Sequence, residues 1–333
     1  MTFFTRPFRA NIKTSLSIVP VILTGIFITA CGGETPARSW ELADQGLFTG
    51  AFSNQSQMAI IGSMNHGASL WRMTDKERLF NWSHQNGEFT DIAAAGFSPD
   101  STRAVTTQAR TLVFWDTQTG AALQYWGTPG VVLDVALLND NRHVLMGLKD
   151  HSALLFNAQT GSYQQTLLHE GEVSVVAVSF DGELAITGSD DHKATIWKLN
   201  DGTPLHEFSH GSPVRAVAIS PQGTYAFTSA KRDLVAIWHV ESGRRLHVLH
   251  DGINNGASTA VFSDDERFLA VGYANRRVAL FDVSSGALIK EWDIGTKLPL
   301  ARSAAAIIEI GFGATANIIL ALAGDGRLLE LRS

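Results

Sequence analysis

The chain has 333 residues, 45% of them apolar and 17% charged, with 30 Gly and 9 Pro. That is the balance of a folded globular protein with a sizeable core, and it excludes a disordered or collagen-like chain. The formal charge is −6, and the basic pairs Lys231-Arg232, Arg244-Arg245 and Arg276-Arg277 stand apart from one another. With no phosphate-tracking stripe, the expectation is no nucleic acid among the partners.

The first fifteen residues hold Arg6, Arg9 and Lys13 and no acid, and Leu16 to Ala30 then form an apolar run that ends in small residues beside Cys31. This is a secretory signal pattern. A membrane-spanning helix needs about 20 apolar residues, whereas this run is shorter and carries Pro20. Residues 1–30 are therefore read as a removed signal peptide, and loss of its three cations takes the formal charge from −6 to −9. Cys31 is the only cysteine, so the chain forms no internal disulfide.

Ile28-Thr29-Ala30-Cys31 resembles the lipobox of bacterial lipoproteins. The resemblance implies diacylglycerol on the Cys31 sulfur, cleavage before it, and acylation of the new amino group. Several acyl chains, at about 0.8 kcal/mol per buried CH₂, give a lasting anchor where one chain gives a marginal one. Gly32 follows, not Asp, which in sorting of the enteric type implies the outer membrane, facing the periplasm. Residues 31–38 are then a lipidated tether. From Gly32 to Ser39 an extended chain reaches at most about 28 Å, at some 3.5 Å per residue.

From residue 39 to 333 one unit recurs, with three apolar runs separated by tight turns and a large residue closing the third run. The closing residues are Trp71, Trp115, Phe156, Trp197, Trp238, Phe281 and a degenerate Leu331, spaced 44, 41, 41, 41, 43 and 50 residues apart. Periods of this length suggest propeller blades. Ser98-Pro99-Asp100, Leu138-Asn139-Asp140 and Ser263-Asp264-Asp265 separate the first two runs, as residues that favour turns. Thr119-Gly120, Thr160-Gly161, Asp201-Gly202, Ser242-Gly243 and Ser285-Gly286 follow the third, where glycine supplies the positive φ of a hairpin into a fourth strand. The expectation is an all-β protein, a ring of seven four-stranded blades. The last unit stops after its third run, near Leu328 to Leu331, and Ser39 to Leu42 are expected to supply its fourth strand. Closure of the ring removes exposed sheet edges.

The stretches VSVVAVSFDGELAITGSDDHKATIWKLNDG and VRAVAISPQGTYAFTSAKRDLVAIWHVESG resemble the WD-repeat β-propeller family. In that family a His, an Asp in the second tight turn and the closing Trp form a buried network. The resemblance assigns it to His169, Asp191 and Trp197, and it places His210 at the same offset from Trp238. Six residues before each closing residue stand Asn65, Ala109, Asp150, Asp191, Arg232, Asn275 and Asp325, so only some units keep the acid, while His84 and His250 are displaced from the expected offset. Family binding faces carry the beginnings of the first strands, here Ala93, Asp134, Ser174, Arg215 and Ser258. Asp134 and Arg215 are the candidate contacts.

No HExxH, GxSxG, phosphate loop or dinucleotide fingerprint is present. No metal, cofactor or catalytic residue is expected. The implied function is a monomeric, non-catalytic scaffold for protein partners in the cell envelope, held to a membrane by lipid. Two alternatives carry weight: a propeller enzyme of the lactonase or quinoprotein kind, and an accessory lipoprotein of outer-membrane barrel assembly.

Overall fold

The computed structural model describes residues 33–44, 46–63, 66–84, 91–249, 256–295 and 306–333. The proposed signal peptide, Cys31, Gly32, Asn65 and His250 lie outside them. Alternation of β-branched and aromatic residues with turn residues produces strands throughout, and the described residues contain no α-helix.

The chain opens with β1 (Arg38–Glu41) and then makes blade 1 from β2 (Leu47–Phe52), β3 (Met58–Ser63), β4 (Gly67–Arg72) and β5 (Glu77–Trp82). Blade 2 is β6 (Ala94–Phe97), β7 (Arg103–Gln108), β8 (Thr111–Asp116) and β9 (Ala122–Gly127). Blade 3 is β10 (Val132–Leu137), β11 (His143–Leu148), β12 (Ser152–Asn157) and β13 (Ser162–Leu168), and blade 4 is β14 (Val173–Val178), β15 (Leu184–Ser189), β16 (Lys193–Lys198) and β17 (Thr203–Ser209). Blade 5 comprises β18 (Val214–Ile219), β19 (Tyr225–Ala230), β20 (Val235–His239) and β21 (Arg244–Val248). Blade 6 comprises β22 (Ala257–Phe262), β23 (Phe268–Tyr273), β24 (Arg277–Asp282) and β25 (Leu288–Asp293). Blade 7 takes β26 (Ile307–Phe312), β27 (Ile318–Ala323) and β28 (Arg327–Arg332), and its fourth strand is β1.

Every sheet is an antiparallel meander of four strands, and the first strands pack against one another around a central channel. The closing residues of the repeat are equivalent by register. Ala59 faces Trp71, Ala104 faces Trp115, Val144 faces Phe156, Ala185 faces Trp197, Ala226 faces Trp238, Leu269 faces Phe281 and Ile319 faces Leu331. The degenerate seventh unit is therefore a true blade, and the long last spacing is absorbed before β26.

Core clusters form between blades as well as within them. Leu138 and Leu145 of blade 3 pack with Ala185 and Trp197 of blade 4, and Phe227 of blade 5 packs with Leu269 and Phe281 of blade 6. Each blade buries its two apolar faces on its neighbours, so a ring is the arrangement in which no face is left over. The hairpin glycines join in this. Gly120 and Gly161 each have φ of +72°, and their missing side chains make room for Phe80 and Trp126 of the preceding blade's fourth strand. A Cβ at Gly120 would lie 2.4 Å from the Phe80 ring.

Ring closure starts earlier in the chain than the sequence pattern places it. β1 begins at Arg38 and pairs antiparallel with β28, with Ser39 opposite Leu329 and Trp40 opposite Leu328. Upstream, the Glu34 amide donates to Glu291 O at 2.9 Å, the Asp293 amide donates to Glu34 O at 3.0 Å, and the Ala37 amide reaches Glu330 O at 2.8 Å. Glu34 thereby pairs in parallel with Trp292 on the outer strand of blade 6, and Lys290 Nζ meets its carboxylate at 2.9 Å. The segment expected to be a free tether is, from Glu34 onward, docked across blades 6 and 7.

Candidate binding face and channel

In blade 4 the tight turn between β15 and β16 holds Asp191, and His169 precedes β14. His169 Nδ1–H donates to Asp191 Oδ2 at 2.8 Å, and both side chains are almost wholly buried. With the proton on Nδ1, Nε2 accepts the Thr187 hydroxyl at 2.7 Å. Trp197 Nε1–H donates to the same hydroxyl oxygen at 2.8 Å. Histidine and tryptophan are thus joined only through Thr187, a residue that sequence reasoning passed over.

Blade 5 repeats the chain of bonds at greater length. His210 lies 3.2 Å from Asp233 Oδ2 and 3.1 Å from the Thr228 hydroxyl, while Trp238 Nε1 donates to that hydroxyl at 2.8 Å. The acid is Asp233 and not the residue at the expected offset, Arg232. Arg232 takes the left-handed turn position at φ +57°, and the carboxylate follows one place later. Burial pushes the His210 imidazole down, against the pull of Asp233.

His84, which the sequence offset sets aside, occupies the same structural place in blade 2. Its Nε2 lies 2.9 Å from Thr106 Oγ1, which also accepts Trp115 Nε1–H at 2.8 Å. Where the other blades use Asp, Thr111 Oγ1 stands 2.8 Å from His84 Nδ1 and passes its own proton to Gln108 O. With a hydroxyl in place of the carboxylate, burial pushes the His84 imidazole down to about 4. The signal that finds these linkers is a Thr nine or ten residues before three of the four closing Trp residues, as in Thr106, Thr187 and Thr228.

The first strands line a channel with a cavity of about 610 Å³. In six blades a bulge follows the first residue of the inner strand, bringing the third residue into register with the second strand. Asp134 and Glu309 hold this position in blades 3 and 7, and Thr49, Val175, Ala216 and Thr259 hold it in the others. Both acids line the cavity.

Asp134 is built into the wall. Its Oδ1 accepts the Val135 amide at 2.9 Å and its Oδ2 accepts the Val176 amide of blade 4 at 2.8 Å. Burial pushes its carboxyl up to about 6, against those two amides. It joins adjacent blades, as Ser174 does by donating to Val214 O and Ser258 by donating to Ile307 O. Glu309 accepts the Ile310 amide at 3.1 Å and faces the Thr259 hydroxyl at 3.4 Å. Burial pushes it up to about 8, and the Asp134 charge adds to the effect. At neutral pH this shift favours the protonated carboxyl.

Glu309 carries a proton in the fold up to about pH 8 but only to about pH 4.3 when unfolded. Its contribution is full below the unfolded value and is lost as pH rises through the folded one. His84, lowered to about 4, and His210 act oppositely, losing stability as pH falls below about 6.5. The two effects oppose each other between about pH 4.3 and 6.5, so the clear window for Glu309 is pH 6.5 to 8. There the thermal midpoint is expected to fall, by about 1–2 kcal/mol of stability at 1.36 per pH unit. Glu309→Gln should flatten that decline in a thermal melt series; an unchanged decline refutes the assignment.

Arg215 stands on the face that carries the beginnings of the first strands, nearly half exposed. Its guanidinium grips Asp190 of blade 4 at 2.5 and 3.3 Å and the Ser174 hydroxyl at 3.2 Å. Asp134 and Arg215 are therefore not brought together: one is in the channel wall, the other on the open rim. Among the described residues no three of His, Cys, Asp and Glu gather at metal-binding distance.

Seven antiparallel four-stranded sheets around a channel, each with a hydrophobic residue closing its third strand, define the class: the molecule is a seven-bladed β-propeller. Residues 161–198 and 202–239 match the family model described as WD domain, G-beta repeat. Two stretches of the chain thus match WD repeats, within a fold of seven propeller blades. The matched segments cover most of blades 4 and 5, whose His–Thr–Trp chains include an Asp. A sequence search of curated proteins finds no match. Propellers of this family serve as platforms for protein–protein interaction.

Proposed function

We propose that the protein is a non-catalytic interaction scaffold of the bacterial cell envelope, lipid-anchored through Cys31 and displayed on the periplasmic side of the outer membrane. The observation that carries the scaffold part is the use to which the polar groups are put. The histidines and acids that resemble catalytic sets are consumed within blades, and both oxygens of Asp134 are taken by backbone amides. What remains open is the rigid rim around Arg215, suited to a protein partner. The anchor part is supported by the Ile28-Thr29-Ala30-Cys31 sequence and by the docking of Glu34. If Cys31 is acylated, only Gly32 and Gly33 separate the lipid from the propeller.

Two experiments test this reading. Cys31→Ser is expected to move the protein from the membrane to the soluble periplasmic fraction, and unchanged detergent-extractable membrane association contradicts the anchor. A pull-down from native membranes with the anchor intact is expected to recover an envelope protein, and Arg215→Glu to lose it. Recovery of barrel-assembly components would assign the scaffold to that machine.

A further inference from the structure

We propose that the outer edge of blade 6, at Leu288 and Ile289, is the part of the propeller that rests on the bilayer. This builds on the reading of Cys31 as the lipidated residue. The register of one short pairing sets the location. Glu34 runs parallel to β25 opposite Trp292, so the chain traced backwards from Glu34 heads toward the beginning of β25. Gly33 already lies against Glu291, Trp292 and Asp293, with room for no Cβ beyond 3.0 Å. Cys31 is two residues further, within about 7 Å of Gly33 at some 3.5 Å per residue. The acyl chains of such a residue enter the membrane beside whatever surface lies in that direction.

That surface is apolar. A bulge between Leu280 and Phe281 of the neighbouring strand lets both Leu288 and Ile289 point outward, 48% and 47% exposed. Lys290 is paired with Glu34 and Glu291 with Arg277, while Asp293, at the far end of the strand, accepts the Gly295 amide. A pair of exposed aliphatic side chains on the strand against which Gly33 is docked suits insertion at the headgroup level. Burying them there lowers the free energy in proportion to the area removed from water. The fold thus fixes which edge faces the membrane and leaves the rim at Arg215, at the end of the channel, to meet partners.

The test uses the fact that Cys31 is the only cysteine and is consumed by the lipid. Ile289→Cys in the full lipidated chain, and separately Leu123→Cys on the outer strand of blade 2, each give one free thiol for a fluorophore. Leu123 is similarly exposed, at 46%. In vesicles containing brominated phosphatidylcholine, the label at 289 is expected to be quenched by the lipid and several-fold less by aqueous iodide than the label at 123. Equal iodide quenching at both sites, with the protein floating alongside the vesicles, overturns the orientation and leaves the anchor intact. Shielding at 289 from iodide without lipid quenching, together with crosslinks between copies, assigns the edge to self-association and equally overturns it. Flotation of Cys31→Ser with the vesicles tells against the anchor itself.

Discussion

A chain that begins at Ala43 is expected to melt well below one that begins at Gly33. The difference is β1. Its removal strips four register pairs from β28 and uncovers Trp40's contacts with the cluster of Leu320, Leu322 and Leu328. The lost backbone bonds contribute about 1 kcal/mol each, and the half-buried Trp40 side chain about 1 more. The sum, on the order of 5 kcal/mol, matches the low end of a domain's whole stability. The midpoint should drop by about 10 °C or more, and the bared β28 edge should drive aggregation. Differential scanning calorimetry of the two chains measures this, and a synthetic peptide of residues 33–43 added in excess should restore part of the loss. Midpoints within about 2 °C of each other would mean that blade 7 stands without its fourth strand.

Thr187→Val carries the second large effect. The replacement keeps the shape and removes only the hydroxyl that accepts from Trp197 and donates to His169. Both groups are then buried without that partner, at about 1–3 kcal/mol for each orphan. A loss near 3 kcal/mol lowers the melting midpoint by roughly 6–10 °C. The same change at Thr228 should cost less, because the His210 bonds there are longer, at 3.1 and 3.2 Å. Since the two sites lie in different blades, the double variant should be close to additive. Urea titration of the single and double variants checks all three statements. A Thr187→Val protein as stable as its parent would show that the chain of bonds has no energetic role.

The blades were legible because their determinants are local. Turn glycines at φ +63° to +72° after the third strands of blades 2 to 6 and the recurring closing residue sit at fixed offsets, so counting along the chain finds them. The network was legible only where no residue had been inserted. His84 is 31 residues before Trp115, against 28 for His169 and Trp197. The extra residues lie between His84 and its blade's first strand, where they change the count without moving the ring. Asp233 was missed for the same reason, a one-residue shift inside a hairpin. Thr106, Thr187 and Thr228 were missed because threonine in a strand is ordinary, and its role depends on a His before the blade and a Trp on the next strand.

The channel was illegible for a different reason. A bulge in six of the seven first strands decides which residue enters the ladder, and alternation alone cannot register a bulge. Asp134 reads as a face residue by position, yet the bulge turns it into the wall, where it bonds the next blade. Glu309, its counterpart across the ring, carried no repeat-level signal at all. Likewise the pattern gave β1 as a strand but not the pairing of Glu34 with blade 6, which depends on backbone groups of no particular sequence.

Closure of the ring by β1 can be tested with one disulfide. In a Gly33–Ser333 chain, which lacks Cys31, Ser39→Cys and Leu329→Cys occupy directly opposed positions of β1 and β28, in reach of a disulfide's short Cα separation. Oxidation is expected to give a single intramolecular bond, a faster-migrating band on a non-reducing gel and a raised melting midpoint. Thiols that stay free, or that link one chain to another, would contradict a ring closed by its own first strand.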